Sequence, residues 1–430
     1  MAIAPWYEGL GFTQDPFFSS PIPPNRDLIE KAFVNREKEK TLIEGFVQRK
    51  SAKMIVFGGT GEGKSSLLNY AEYCATKWGK SAIRIDGHKL TSAESFVDEL
   101  LYQLQLRAEK LPDSDRQKLT KRMTDLEIIE LRKKEVEETK AGIEGRLNLQ
   151  GRLSALVTVV TEIAGAIEKK RAQEEEKAYY IAPRMTQLER VVNELLPTIF
   201  DVMQTLVVSD DLEKEASLLG KFIDGVSYLI PSNVLFVTTG RKPEEIGSKG
   251  MGACYEVFDV PVVMTTLDSE EALEEFIVGR MKACCRKGST PPEFDDAAIA
   301  MLVDRTGGNL RETFRYCSWA LQKYKKDISR TMILQSMKEA DAARLAALSD
   351  PENQTLSVLA GLGPSADGWT LEEVFNAFPQ APEPVTIDTV RDRLDGLVGP
   401  RLVSKKLVKS GRTRVARYGI RETAKYILEL

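Results

Sequence analysis

Apolar positions along this chain change their spacing several times, and each change marks an element. Residues Asn35 to Gln48 repeat apolar positions at helical spacing and predict an amphipathic helix. Before it, Pro16, Pro21, Pro23 and Pro24 keep the first part extended. Lys53 to Phe57 is a short apolar run ending directly in glycines, the pattern of a buried strand feeding a turn. A helix is expected over Lys64–Lys77, a strand over Ser81–Ile85 and an amphipathic helix over Ala93–Arg107. The pattern resumes later with a helix near Met185–Met203, a strand at Thr205–Ser209 and a helix near Leu212–Leu229. Strands at Val234–Thr238 and near Tyr255–Val260 close the series. Strands and helices in alternation predict an α/β fold with a mainly parallel sheet covered on both faces.

Between these two stretches, from about Leu111 to Ala182, the chain is charge-rich, with blocks such as Arg132-Lys-Lys-Glu-Val-Glu-Glu. Leu147 to Val160 inside it is richer in β-branched residues and alternates in places. Two readings stand for this insertion, 111–182: a solvated helical pair or a hairpin flanked by helices, and a protrusion that contacts a protein partner or a membrane surface. From Ser269 to about Leu348 the pattern is helical throughout, with breaks at 288–292, 306–309 and 325–329. The last part differs again. Helical patterns at Gln354–Gly361, Leu371–Ala377 and Ile387–Leu397 precede strand-like runs at Leu402–Val408 and Thr413–Tyr418, which flank a turn at Lys409–Arg412. Three helices and a two-stranded ribbon form a winged-helix pattern. The expected domains are therefore 1–50 as a lead-in, 51–266 as the α/β core, 267–348 as a helical domain and 349–430 as a winged helix.

Composition narrows the function. The 430 residues carry a formal net charge of −4, so a polyanionic partner must be met by a local basic patch. Five cysteines without a C-x-x-C pair, and a single histidine, His88, argue against zinc and fit reduced thiols in a cytoplasm. The start of the chain lacks a positive segment followed by an apolar run, so it does not read as a signal peptide. The longest weakly polar stretch, Leu153–Ile167, is interrupted by Glu162 and falls short of the roughly twenty apolar residues a membrane span needs. A soluble, cytoplasmic protein is expected.

The candidate chemistry begins at Gly58-Gly59-Thr60-Gly61-Glu62-Gly63-Lys64-Ser65, which fits G-x-x-x-x-G-K-[ST] at every fixed position. Glycines there let backbone N–H groups turn onto phosphate oxygens, and the following helix aims its N-terminal dipole at the same anion. Lys64 is expected to reach the β- and γ-phosphates of ATP, Ser65 to ligate Mg²⁺, and Ser66 to complete the ATP-binding run. The apolar run Thr205-Leu-Val-Val-Ser209 ends in Asp210 and Asp211. Asp210 is the expected second magnesium ligand, and Asp211 stands where the attacking water is oriented.

With these motifs the chain resembles AAA+ ATPases, in the branch that holds origin-recognition initiators and the STAND signalling ATPases. That resemblance implies a three-layer P-loop core, a helical lid and a C-terminal winged helix. It implies ATP hydrolysis and a homo-oligomer. It also implies a γ-phosphate sensor at Thr239 in Val234-Leu-Phe-Val-Thr238-Thr239-Gly-Arg241, and a second sensor at Arg311 in Thr306-Gly-Gly-Asn-Leu-Arg311. Val34 and Arg36 match the lead-in that packs on adenine. Arg241 fits either a sensor or the arginine such enzymes offer to a neighbouring subunit. Most of the family has Glu where this chain has Asp211, one methylene shorter, so slow turnover is implied.

Residues 400 to 430 hold nine basic and two acidic residues, a local balance of +7. Lys405, Lys406, Lys409, Arg412 and Arg414 lie on or beside the hairpin, where a wing tracks the backbone of double-stranded DNA. Against this, Thr386–Asp395, the helix that would enter a groove, carries three aspartates. Two functions are compatible with these residues. One is a DNA-associated ATPase of the initiator, loader or mobile-element and defence regulator type. The other is a STAND-like switch that retains nucleotide and acts through a protein partner.

Overall fold

The computed structural model describes residues 5–18, 20–24, 26–33, 35–87, 93–133, 152–160, 177–181, 188–210, 230–231, 233–241, 243, 252, 254–363, 365, 368–378, 385–398, 403–410 and 413–420. Two compact units form: Ser20–Thr265, and Met1–Ser19 together with Thr266–Leu430.

The first unit runs through α1 (Arg26–Ala32), α2 (Glu37–Val47), β1 (Ala52–Phe57), α3 (Lys64–Lys77), β2 (Ser81–Asp86), α4 (Ala93–Ala108) and α5 (Asp113–Asp125). It continues with β3 (Ile129–Lys133), β4 (Lys177–Ile181), α6 (Leu196–Met203), β5 (Thr205–Asp210), β6 (Leu235–Gly240) and β7 (Val260–Val263). Five of these strands make one sheet in the order β2-β5-β6-β1-β7, and every pairing in it is parallel. Parallel strands buried on both faces need continuous apolar sequence. β1 and β6 meet that need: β6 is buried along its whole length. Alternate residues of β1 serve the two faces. Ile55 and Phe57 join a core with Phe96, Leu100 and Leu104 of α4 and Ile199 and Phe200 of α6, while Met54 and Val56 are fully buried on the other side. This is the α/β fold with a parallel sheet that the alternation predicts, and the three-layer P-loop core is what the resemblance implies.

Among the described parts of the charge-rich insertion, each helix buries one stripe, and most of α5 is exposed. Leu119 and Met123 of α5, Ile128 and Ile129 belong to the same core. Residues 152–160, expected to alternate, are helical. Leu153, Leu156, Val157 and Val160 stand at i, i+3, i+4 and i+7 and are all buried, so burial on one stripe overrides β-branching. β3 and β4 pair antiparallel, Ile129 against Ile181. Two further expectations shift: 254–257 is a helical turn with Cys254 and Phe258 inward, and the edge strand follows it as β7. The helix expected near Leu212–Leu229 lies outside the described residues.

The second unit holds α7 (Glu270–Cys284), α8 (Asp296–Thr306), α9 (Leu310–Tyr324) and α10 (Arg330–Ala346). The winged helix follows: α11 (Asp350–Gly361), β8 (Trp369–Thr370), α12 (Leu371–Asn376), α13 (Ile387–Val398), β9 (Val403–Ser410) and β10 (Thr413–Ile420). Its three strands pair in the order β8-β10-β9, a strand more than the ribbon expected. Leu356, Leu359, Val374, Val390, Leu394, Leu397, Val403 and Tyr418 form its core. Residues 5–18 fold on the helical domain rather than with the rest of the expected lead-in. Phe12 bridges Cys285, and the Thr13 N–H donates to the Cys284 carbonyl at 2.8 Å. Buried Arg280 holds this arm, donating to Pro16 O at 3.1 Å beneath the Phe18 ring. Burial pushes its guanidinium down to about 10. All five cysteines are free, and no helix among the described residues is long and apolar enough to cross a membrane.

Candidate nucleotide-binding site

The glycine-rich loop Gly58–Ser65 joins β1 to α3, as its sequence predicts. Gly61 and Gly63 have φ of 84° and 97°, a backbone that a side chain would strain, and Gly63 caps α3. Lys64 Nζ donates to Gly58 O at 3.0 Å and Gly59 O at 3.2 Å, spanning the loop's mouth. A Cβ on Gly58 would lie 2.9 Å from Glu62 Oε2 and 3.1 Å from Met264 Cβ, so a side chain there would displace the Glu62 carboxylate. The loop is tied at its entry to the neighbouring strand, because Gly58 N donates to Gly240 O at 3.2 Å. Gly240, the extra residue between Thr239 and Arg241, is demanded by packing: a Cβ there would lie 2.7 Å from Phe57 Cδ1.

Two residues brace the loop from within the fold. Glu62 is buried, and its Oε2 accepts the Gly59 N–H at 2.6 Å. Arg36 is 2% exposed and donates to Glu62 O at 3.2 Å, Glu39 Oε1 at 3.3 Å and Thr265 Oγ1 at 3.4 Å. Burial lowers the Arg36 pKa, and the carboxylates of Glu39 and Glu62 oppose that shift. The sequence suggests an adenine contact for Arg36; the structure puts its guanidinium on the loop's backbone. Ser66 Oγ accepts the Ile22 N–H at 3.2 Å, which anchors the segment before α1 on α3. Val34 lies outside the described residues.

The acidic strand β5 is separated from β1 by β6, so the ends of β5 and β6 stand beside the loop. Thr239, fully buried at the end of β6, donates its hydroxyl to Asp210 Oδ1 at 3.5 Å. Asp210 Oδ2 lies 3.6 Å from Arg84 Nη1, a residue of β2 that the motifs did not single out. The signal for Arg84 was a lone cation within Ser81-Ala-Ile-Arg84-Ile, an otherwise strand-like run. Asp211 lies outside the described residues. Arg241 is half-buried just beyond β6.

These side chains fit a magnesium ion. Mg²⁺ is held by one or two protein oxygens plus phosphate and water, not by an all-protein cage. A hydroxyl at the start of α3 and one carboxylate at the end of β5 supply that set. Among the described residues no group of three His, Cys, Asp or Glu offers a cage.

In the second unit, Gly307 caps α8 with φ 55° and Asn309 caps α9, accepting the Glu312 N–H at 3.3 Å. Gly308 between them is pressed on the backbone: a Cβ would lie 2.2 Å from Leu267 O. Arg311 is thereby presented, exposed, in the first turn of α9. Within the winged helix, Lys405 Nζ lies 2.8 Å from both carboxylate oxygens of Asp395 on α13, and Tyr418 donates to Asp395 Oδ1 at 3.0 Å. Lys405, expected on or beside the hairpin, is thus tied to α13. The backbone register of β9 and β10 sets Lys409 opposite Arg414 and Lys406 opposite Arg417. Arg412 lies outside the described residues.

No protein-family model matches the sequence, and no curated protein matches it. Among solved structures the chain is similar in fold to the Aeropyrum pernix ORC1 protein in complex with DNA, at 11% identity and TM-score 0.48, covering 94% of this chain and 95% of that one. It is likewise similar to Cdc6p from Pyrobaculum aerophilum, at 13% identity and TM-score 0.43, with 97% of each chain covered. The Holliday junction branch migration motor RuvB of Thermotoga maritima aligns at 13% identity and TM-score 0.39, over 94% of this chain and 99% of that one.

Proposed function

We propose that this protein is an AAA+ ATPase that binds ATP with Mg²⁺, hydrolyses it slowly, and couples it to homo-oligomer assembly and association with double-stranded DNA. The observation that carries this reading is the braced loop Gly58–Ser65 with Asp210 and Thr239 at the neighbouring strand ends. Backbone N–H groups at the start of α3 would hold the β- and γ-phosphates, with Lys64 turning from the loop carbonyls to the anion. Ser65 and Asp210 would hold the metal, which neutralises phosphate charge when bound. Asp211 would orient the water, and Thr239 would hold Asp210 and sense the γ-phosphate. Arg311 would act as the second sensor, and Arg241 as a sensor or as the arginine offered to a neighbouring subunit, on charge that develops during phosphoryl transfer.

The DNA part of the reading is supported by the wing. Like charges set opposite each other in a ladder repel, and a polyphosphate relieves that repulsion. The Asp395–Lys405 pair favours the second reading, a nucleotide-retaining switch whose winged helix packs on protein. Steady-state ATP turnover with and without duplex DNA, with Lys64→Ala as blank, tests the two. Stimulation by DNA supports the first; slow turnover with retained nucleotide and no stimulation supports the second.

A further inference from the structure

Arg84 links the two halves of the expected cation site. On β2 it stands opposite Val208, and Asp86 opposite Asp210, so Arg84 and Asp210 fall on one face of the sheet. Its guanidinium is held at three points. Nε donates to Glu72 Oε1 at 2.6 Å, Nη2 donates to Asn69 Oδ1, and Nη1 lies 3.6 Å from Asp210 Oδ2. Glu72 and Asn69 belong to α3, and with Ser65 they stand at i, i+4 and i+7 on one stripe of that helix. The stripe that begins with the metal-binding hydroxyl therefore grips Arg84, and Arg84 reaches the metal-binding carboxylate. Asn69 is itself fixed, its Nδ2 donating to Ile22 O at 2.6 Å.

We infer that Arg84 is a positioning residue for magnesium, setting the Asp210 carboxylate at a fixed distance from Ser65 through Glu72 and Asn69. The inference rests on the phosphate-loop reading above. With Thr239 on Oδ1 and Arg84 on Oδ2, the carboxylate is oriented from both sides, as partners of metal ligands are. The planar fork of arginine matters, because a lysine ammonium could reach Asp210 but could not hold both α3 partners in the same geometry.

The test uses the full chain, a fluorescent ATP analogue and Mg²⁺ alone as the titrant, with binding read first in EDTA and then across Mg²⁺ concentrations. Arg84→Ala should raise the Mg²⁺ concentration at half-effect about tenfold, while affinity in EDTA stays within about twofold of wild type, since the phosphate loop is untouched. Arg84→Lys should recover part of the shift. Glu72→Gln, which loosens Arg84 without touching Asp210, should shift it in the same direction by less. An unchanged Mg²⁺ midpoint in Arg84→Ala overturns the inference. If that variant fails to melt cooperatively, unchanged midpoints in both Arg84→Lys and Glu72→Gln overturn it instead. Wild-type protein that binds no ATP analogue at all would remove the phosphate-loop reading and this inference together. Wild-type binding that needs Mg²⁺, with midpoints indifferent to Arg84, would remove the inference alone.

Discussion

Arg36 donates to the backbone carbonyl of Glu62 at 3.2 Å, so a residue before the first sheet strand supports the phosphate loop from inside the protein. The Glu62 side chain turns back to the Gly59 N–H, and the loop's curvature is held at both ends of one residue. Arg36, matched from the sequence to the lead-in that packs on adenine, here donates to the loop's backbone.

Replacing Arg36 tests that role. Arg36→Ala leaves a buried carbonyl and the Glu39 carboxylate short of a partner, an effect on the order of 2–4 kcal/mol for a buried charged network. Thermal melting should fall by several degrees and the affinity for ATP analogue should drop with it. A variant that melts like wild type would show that the buried contacts contribute nothing net.

Lys64→Ala should abolish tight ATP binding, because the ammonium that spans the loop is lost. Asp211→Asn should keep ATP and lose turnover. Unchanged affinity in the first, measured by titration, removes the phosphate-loop assignment; wild-type hydrolysis in the second removes Asp211 from the mechanism.

Gly308→Ala should destabilise the helical domain. Its φ of 71° strains any L side chain, and the added Cβ would meet the Leu267 backbone at 2.2 Å. A loss of about 1–3 kcal/mol is expected in denaturant unfolding. The neighbouring Gly307→Ala has open space and a smaller penalty, so equal losses at both sites would count against the close-approach argument.

Asp395→Asn should release Lys405 from its carboxylate partner. If the wing tracks DNA, duplex affinity should rise, and the salt dependence should steepen by about one counterion. No change in either quantity would leave Lys405 out of any DNA contact and strengthen the protein-partner reading.

The winged helix should lose stability in acid. Hydrogen bonds from the Ser349 side chain and N–H hold Glu352 below its ordinary 4.5, and those from the Thr370 N–H and hydroxyl do the same for Glu373. A depressed carboxylate stabilises the fold above its unfolded value, and that contribution fades as pH falls through the lower folded value. Melting temperature should therefore decline below about pH 4.5, and the Glu352→Gln/Glu373→Gln variant should show a shallower decline. Equal slopes would assign the acid response elsewhere.

Much of the core was legible because its signals are local. The run into β1, the glycines and α3 occupy contiguous residues, and their boundaries differ from the expected ones by about a residue. The helix over 152–160 was misread although its buried residues carry a helical period, because β-branched Val157, Val159 and Val160 weigh toward a strand when burial is unknown. β8 escaped notice because two residues are too short to show a period.

The glycine-rich turn between β1 and α3, the carboxylate at the end of β5 and the alternation of the core strands with their helices are legible in the chain alone, since each depends on residues close together in it. Which distant residues support that loop and that carboxylate follows from packing. Arg84 meets Asp210 because β2 lies beside β5 in the sheet, and Arg36 meets Glu62 because the chain before β1 folds behind the loop. Strand order and burial are properties of the packed whole, so no local pattern around Arg84 or Arg36 encodes its partner.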